Sequence, residues 1–138
     1  MRVFVDTNVL VYLFDAGDPV KQKRAREVVG ELARRKALVL SAQVLSELYV
    51  TLTRKLAEPL PPEPALRALA DLAVYPVVPI DAALVQRAAA HSIAEQIAFW
   101  DALILESAVE AGASTVYSED LQSGCIYQGV RVLDPLVV

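Results

Sequence analysis

The chain has 138 residues, 55% of them hydrophobic and 22% charged, with a net charge of −4; this fits one globular domain spanning 1–138 and excludes a disordered polar chain. Mean hydropathy is +0.40, yet charges or prolines interrupt every apolar run well short of the ~18 residues a membrane-spanning helix needs, and without a long apolar leader after Met1 and Arg2 the expected location is the cytoplasm. One cysteine, Cys125, and one histidine, His91, exclude an internal disulfide and a Cys/His zinc site, so any metal is to be held by oxygen.

Strand-length apolar runs alternate with longer helical patterns, which predicts an α/β three-layer sandwich with helices on both faces of a mainly parallel sheet. Arg2 to Val5 reads as the first strand and Asn8 to Phe14 as a short helix. Asp18-Pro19 supplies an N-cap and a first-turn proline for a helix over Val20 to Lys36. Ala37 to Leu40 is the second strand, and Ser41 caps a helix over Ala42 to Leu56. Pro59, Pro61, Pro62 and Pro64 form a stiff connector that no helix can cross, with Pro64 suited to the first turn of a helix through Ala73. Val77 to Ile80, between Pro76 and Pro79, is short or at a sheet edge. Asp81 caps a helix through Ser92. Phe99 to Ala111 forms another, stopped by Gly112, and Thr115 to Tyr117 and Val130 to Leu133 are the last strands.

The charge is unevenly spread. Residues 20–36 hold Lys21, Lys23, Arg24, Arg26, Arg34, Arg35 and Lys36 against Glu27 and Glu31, a local +5 that leaves −9 to the rest. Such a strip is either a solvated helix face or a contact surface for phosphates, with Arg54 and Lys55 as lesser candidates.

Four acids stand out by position. Asp6 closes the first strand, where an open α/β sheet places ligands beyond its strand ends; alone it could serve only as a helix N-cap. Asp101 shares a helical stripe with Ile104, Leu105 and Ala108 and so points inward, with Glu106 and Glu110 on the opposite side. An inward carboxylate needs a cation, hydrogen-bond donors or a wet cleft. Glu47 lies in the second turn of the helix after Ser41, off the stripe of Leu45, Leu48, Leu52 and Leu56, and should overhang the same sheet edge as Asp6. Glu119 and Asp120 follow the strand Thr115 to Tyr117. Acids from four segments thus converge on one edge, an arrangement that a divalent cation makes favourable. Oxygen ligands fit Mg²⁺ or Mn²⁺, and the chemistry that follows is phosphodiester hydrolysis, with no need of His91 as a base.

Val-Phe-Val-Asp6-Thr7-Asn8, Ser41 with Glu47, Trp100-Asp101-Ala102-Leu103-Ile104 and Tyr117-Ser118-Glu119-Asp120-Leu121-Gln122, taken in order, resemble the PIN-domain family, and the small size resembles the toxin ribonucleases of VapBC toxin-antitoxin pairs. The resemblance implies a parallel five-stranded sheet and a Mg²⁺- or Mn²⁺-dependent endoribonuclease. It implies Asp6 and Asp101 as direct metal ligands, Glu47 as a direct or water-bridged ligand, and Asp120 as the fourth acid, with Glu119 beside it as the alternative. Thr7, with Asn8, matches the strand-end motif, and its hydroxyl is expected to orient a carboxylate. The resemblance also implies a cognate antitoxin covering the acidic site and a homodimer; the high apolar content is compatible with a contact face on the Val9, Tyr12, Leu13 helix or the helix after Pro64, and core packing explains the same residues.

Two other Mg²⁺ classes fit poorly. A phospho-accepting receiver domain needs paired acids after the first strand and a late lysine, whereas none follows Lys55; an aspartate phosphatase needs a second Asp where Asn8 stands. The non-enzyme alternative is a PIN-like module that binds RNA or protein without cleaving.

Overall fold

A computed structural model describes residues 1–137; the last residue of the expected domain, Val138, lies outside the described residues. Among the described residues six strands and six α-helices follow in the order β1 (Arg2–Val5), α1 (Thr7–Val11), α2 (Pro19–Arg34), β2 (Leu38–Ser41), α3 (Ala42–Val50), α4 (Pro62–Leu72), β3 (Val77–Val78), α5 (Ala82–Glu95), α6 (Phe99–Glu110), β4 (Ala113–Tyr117), β5 (Ile126–Tyr127) and β6 (Val130–Leu133). The sheet order is β3-β2-β1-β4-β6-β5. Five strands run parallel, as the alternation predicts, and β5 adds a sixth, antiparallel to β6. Two residues with Ile126 exposed carry no strand signature in the sequence, and β5 forms only because a tight turn folds it back onto β6.

The middle of the sheet is dry. Phe4, Val5, Val39, Leu40 and Val116 are buried, as near-continuous apolar runs covered on both faces require. Asp18 caps α2 by accepting from the Lys21 amide at 3.1 Å, Ser41 caps α3 by accepting from Val44 at 3.2 Å and Asp81 caps α5 by accepting from the Leu84 amide at 2.9 Å, so these three sequence-predicted caps form. Gly112, at φ +70°, ends α6 in the left-handed conformation that glycine tolerates best.

Three local differences have physical causes. Beyond α3 the helix does not run evenly to Leu56: Thr51–Lys55 form one π-helical turn, and Leu56 turns extended. α4 starts at Pro62 rather than Pro64, since successive first-turn prolines lack only donors that a helix start leaves unpaired. Glu106, which simple periodicity places on the solvent side of α6, is buried. α6 is covered on nearly every side from Ala102 to Ala108, so no face was free for it. There the Glu106 carboxylate accepts from the Tyr127 hydroxyl at 2.6 Å, lies 3.2 Å from His91 Nδ1 and 3.8 Å from the Arg87 guanidinium. Burial, followed by the hydrogen bond to Glu106, pushes Tyr127 up to about 12. Val9 is also fully buried, so it belongs to the core and not to an oligomer face; on α4, Leu66 is exposed.

No helix among the described residues is long and apolar enough to cross a membrane.

Candidate functional site

The sheet register assembles the site. β1 and β4 run parallel with Val5 opposite Tyr117, so the next residue of each strand, Asp6 and Ser118, leaves the sheet side by side. The ladder continues one step further, with the Asp6 amide donating to Tyr117 at 2.9 Å and the Ser118 amide to Leu133 at 3.0 Å. Asp6 is 8% exposed. One carboxylate oxygen accepts from the Thr7 amide at 2.7 Å; the other accepts from the Ser118 hydroxyl at 2.9 Å and from Asn8 Nδ2 at 3.2 Å. The Ser118 oxygen in turn accepts from the amides of Asp120 and Leu121, both at 3.2 Å. Asn8, the only asparagine in the chain, closes the loop by accepting from the Glu119 amide at 2.8 Å.

The other acids enter from neighbouring elements. The cap on Ser41 starts α3 directly at the end of β2, which brings Glu47 over the first turn of α1, where Oε1 accepts from the Thr7 hydroxyl at 3.0 Å. Asp101 sits half-buried in the first turn of α6. A cleft of about 880 Å³ opens between these elements, and its lining includes Asp6, Glu47, Asp101, Glu119 and Asp120 together with Thr7 and Asn8. Burial, reinforced by the charges of Glu47 and Asp120 against the hydrogen bonds from Ser118 and Thr7, raises Asp6 from 3.8 to about 6. Burial and the Asp120 charge also hold Asp101 above the usual carboxylate range.

Glu119 and Asp120 part company. Glu119 Oε2 lies 2.5 Å from Lys21 Nζ, and its other oxygen accepts from the Tyr12 hydroxyl at 2.9 Å. The Lys21 ammonium stands 5.1 Å from the Tyr12 ring centre, and its pKa is raised, chiefly by the hydrogen bond to Glu119. Asp120, exposed, is the neighbour whose charge reaches Asp6 and Asp101. Among the described residues no three His, Cys, Asp or Glu side chains close to the spacing of a metal cage. The acids share a cleft as expected, but not as a finished cage. Like charges at ligand spacing repel, and Glu47 and Asp120 extend to solvent.

The basic strip of α2 is differently placed. None of its seven cations lines the cleft. Lys21 is paired with Glu119, Arg24 donates to the Pro135 carbonyl at 2.9 Å, Arg26 donates to the Leu13 carbonyl, and Arg34 and Arg35 pair with Glu31; Lys23 and Lys36 are exposed. Among the described residues the one cation on the cleft wall is Lys55, carried there by the π-helical turn. Residues that sequence reasoning gave no role are Ser118, buried completely, and Gln43, whose Nε2 donates to the Trp100 carbonyl at 3.4 Å. A serine directly after a strand that pairs with the Asp6 strand was the available signal for Ser118.

The sequence matches the PIN domain family over residues 3–122. Among solved structures, the chain is similar to the Mycobacterium tuberculosis toxin VapC20, which cleaves the sarcin-ricin loop, with a TM-score of 0.66 and 22% identity over 86% of this chain and 89% of that one. A toxin-antitoxin complex from Klebsiella pneumoniae matches with a TM-score of 0.70 and 19% identity over 98% of both chains. DNA-bound VapBC from Salmonella typhimurium matches with a TM-score of 0.66 and 20% identity, again over 98% of both. At these identities the likeness is one of fold. No curated protein matches the chain at a significant level. The ordered motifs, the parallel sheet with its acid-lined edge and the family match over most of the length agree: this chain belongs to the PIN domain family.

Proposed function

We propose that the protein is a Mg²⁺- or Mn²⁺-dependent endoribonuclease, the toxin of a toxin-antitoxin pair, hydrolysing a phosphodiester of RNA to leave a 3′-hydroxyl and a 5′-phosphate. What carries this reading is one observation: Asp6, Glu47, Asp101 and Asp120, from four distant segments, line a single cleft beyond the ends of parallel strands. The likeness in fold to toxins of toxin-antitoxin complexes supports the biological role.

The donor set suits a hard cation, being all carboxylate oxygen with hydroxyl support. Asp6, Asp101 and Asp120 would hold the ion, with Glu47 doing so directly or through water. When bound, such an ion lowers the pKa of the attacking water and offsets charge on the phosphorus oxygens and the departing 3′-oxygen. The chain's own residues prepare the site. Ser118, Thr7 and Asn8 fix the Asp6 carboxylate through hydrogen bonds, and Thr7 holds Glu47 in turn. Buried carboxylates that resist ionising favour a cation, because its charge compensates for the lost solvent. Lys55 is positioned to neutralise a phosphate along the cleft wall, with Lys23 and Lys36 available to a longer strand.

The open spacing of the acids favours a second reading, a PIN-like module that binds RNA or protein without cleaving it. Incubating RNA with the protein in Mg²⁺ or Mn²⁺ separates the two. The nuclease reading expects cleavage that EDTA abolishes and that Asp6→Asn and Asp101→Asn each reduce by orders of magnitude. Intact RNA under every divalent condition, or undiminished cleavage by both variants, contradicts it.

A further inference from the structure

Trp100 is the only tryptophan in the chain, and it is 62% exposed. It is also one of the residues lining the acidic cleft, one position before Asp101. Its neighbour Phe99 packs against the core and meets the indole edge to face, with centroids 5.1 Å apart and planes at 72°. Gln43, buried in α3, donates to the Trp100 carbonyl at 3.4 Å. The backbone at the first turn of α6 is therefore held by Gln43 and by the packing of Phe99, which fixes where Trp100 joins the cleft lining. The same cleft carries an apolar wall of Val50, Ile80, Leu103 and Ile104. Phosphates and metal ions have no use for such a wall; a flat, partly apolar ligand group does.

We propose that Trp100 is a stacking platform for a nucleobase next to the scissile phosphodiester, so that the cleft grips one unstacked nucleotide of single-stranded RNA by its base. This rests on the nuclease reading above and adds to it a mode of substrate engagement. An indole face accepts any base, since stacking needs only a π-surface. The preference it imposes is therefore for an unpaired, splayed nucleotide over a stacked duplex, independent of sequence. Trp100 acts in binding, while the acids carry the chemistry.

The lone tryptophan makes the test direct, because all indole emission comes from this position. Two labelled RNA decamers are titrated in Ca²⁺, one complete and one with abasic riboses at its central positions. Tryptophan emission and RNA anisotropy are followed together, and a gel verifies that the strands stay intact. The expected result is strong quenching and tight binding by the complete strand, with about tenfold weaker binding by the abasic strand. Trp100→Phe should keep most of the affinity. Trp100→Ala should lose about tenfold, raising KM for cleavage while kcat holds. Equal affinity for the two strands overturns the stacking role and leaves the nuclease reading intact. Emission that changes with protein concentration in the absence of RNA makes Trp100 a subunit contact and overturns it as well. Absence of any RNA binding overturns the nuclease reading and this inference together.

Discussion

The Ser118 hydroxyl donates to the Asp6 carboxylate at 2.9 Å, joining residues 112 positions apart in the chain. The bond exists because β4 pairs with β1 in a register that sets Val5 beside Tyr117. It ties the geometry of the candidate site to the centre of the sheet, so a fault in either is felt in both.

Ser118→Ala removes a buried donor to Asp6 and the acceptor that holds the Asp120 and Leu121 amides. The Ser118 bond lowers the Asp6 pKa, so its loss moves that pKa further above about 6. The expected outcome is a destabilisation of about 1–3 kcal/mol in urea unfolding, with the acid limb of Mn²⁺ binding shifted to higher pH. An unmoved acid limb contradicts the coupling.

Asp6 gives the metal-free chain an unusual pH dependence. Its folded pKa of about 6 lies above the ordinary 3.8. The folded state therefore holds more protons than the unfolded one between these values. Its contribution to stability is present below about pH 4, is lost as pH rises through about 6, and stays lost above that, by about 3 kcal/mol in all. Asp101 shifts in the same direction. In EDTA, the stability difference between Asp6→Asn and the unaltered chain should move in favour of the variant between pH 4.5 and 7.5. A difference that is flat with pH removes Asp6 as its source.

Much of this arrangement was legible in the sequence. Asp6 was legible only in company, since a lone carboxylate directly after an apolar strand serves as readily as a helix N-cap and gains a second meaning from the other acids at the same edge; Asp101 stood out because helical periodicity turns it off the solvent face. Glu47 followed from topology, since a helix starting at the end of β2 must overhang the edge where β1 ends. Glu106 was misplaced because periodicity assumes a helix with one solvent face, and α6 has almost none. The π-helical turn at Thr51–Lys55 has no local sequence mark, so Lys55 could not be aimed at the cleft in advance. Nor could adjacent acids be told apart: Glu119 is claimed by Lys21 and Tyr12, partners visible only once α1 and α2 lie beside the β4 end.

That division gives a paired prediction. Asp120→Asn should weaken Mn²⁺ affinity by about tenfold or more, the scale on which changes near a metal site act. Glu119→Gln should leave Mn²⁺ affinity unchanged while freeing Lys21. Calorimetric titration of both variants checks the assignment, and the reverse order of effects would hand the fourth place to Glu119.

Lys55 is the cation on the cleft wall. If it neutralises one phosphate of a single strand, Lys55→Gln lowers the slope of log affinity against log salt by about 0.7. Arg34→Gln, whose side chain is paired with Glu31 on α2, should leave that slope unchanged. Anisotropy titrations at several salt concentrations measure both, and a shift confined to Arg34→Gln would return the contact to the α2 strip.

Most direct is anomalous diffraction from crystals of the protein soaked in Mn²⁺. The expected map has its strongest peak in the cleft within ligand distance of Asp6 and Asp101, with Asp120 or Glu47 completing the shell, and the peak disappears in Asp6→Asn crystals. A cleft without a Mn²⁺ peak, or a peak that persists in Asp6→Asn, would contradict a metal-dependent nuclease built on these four acids.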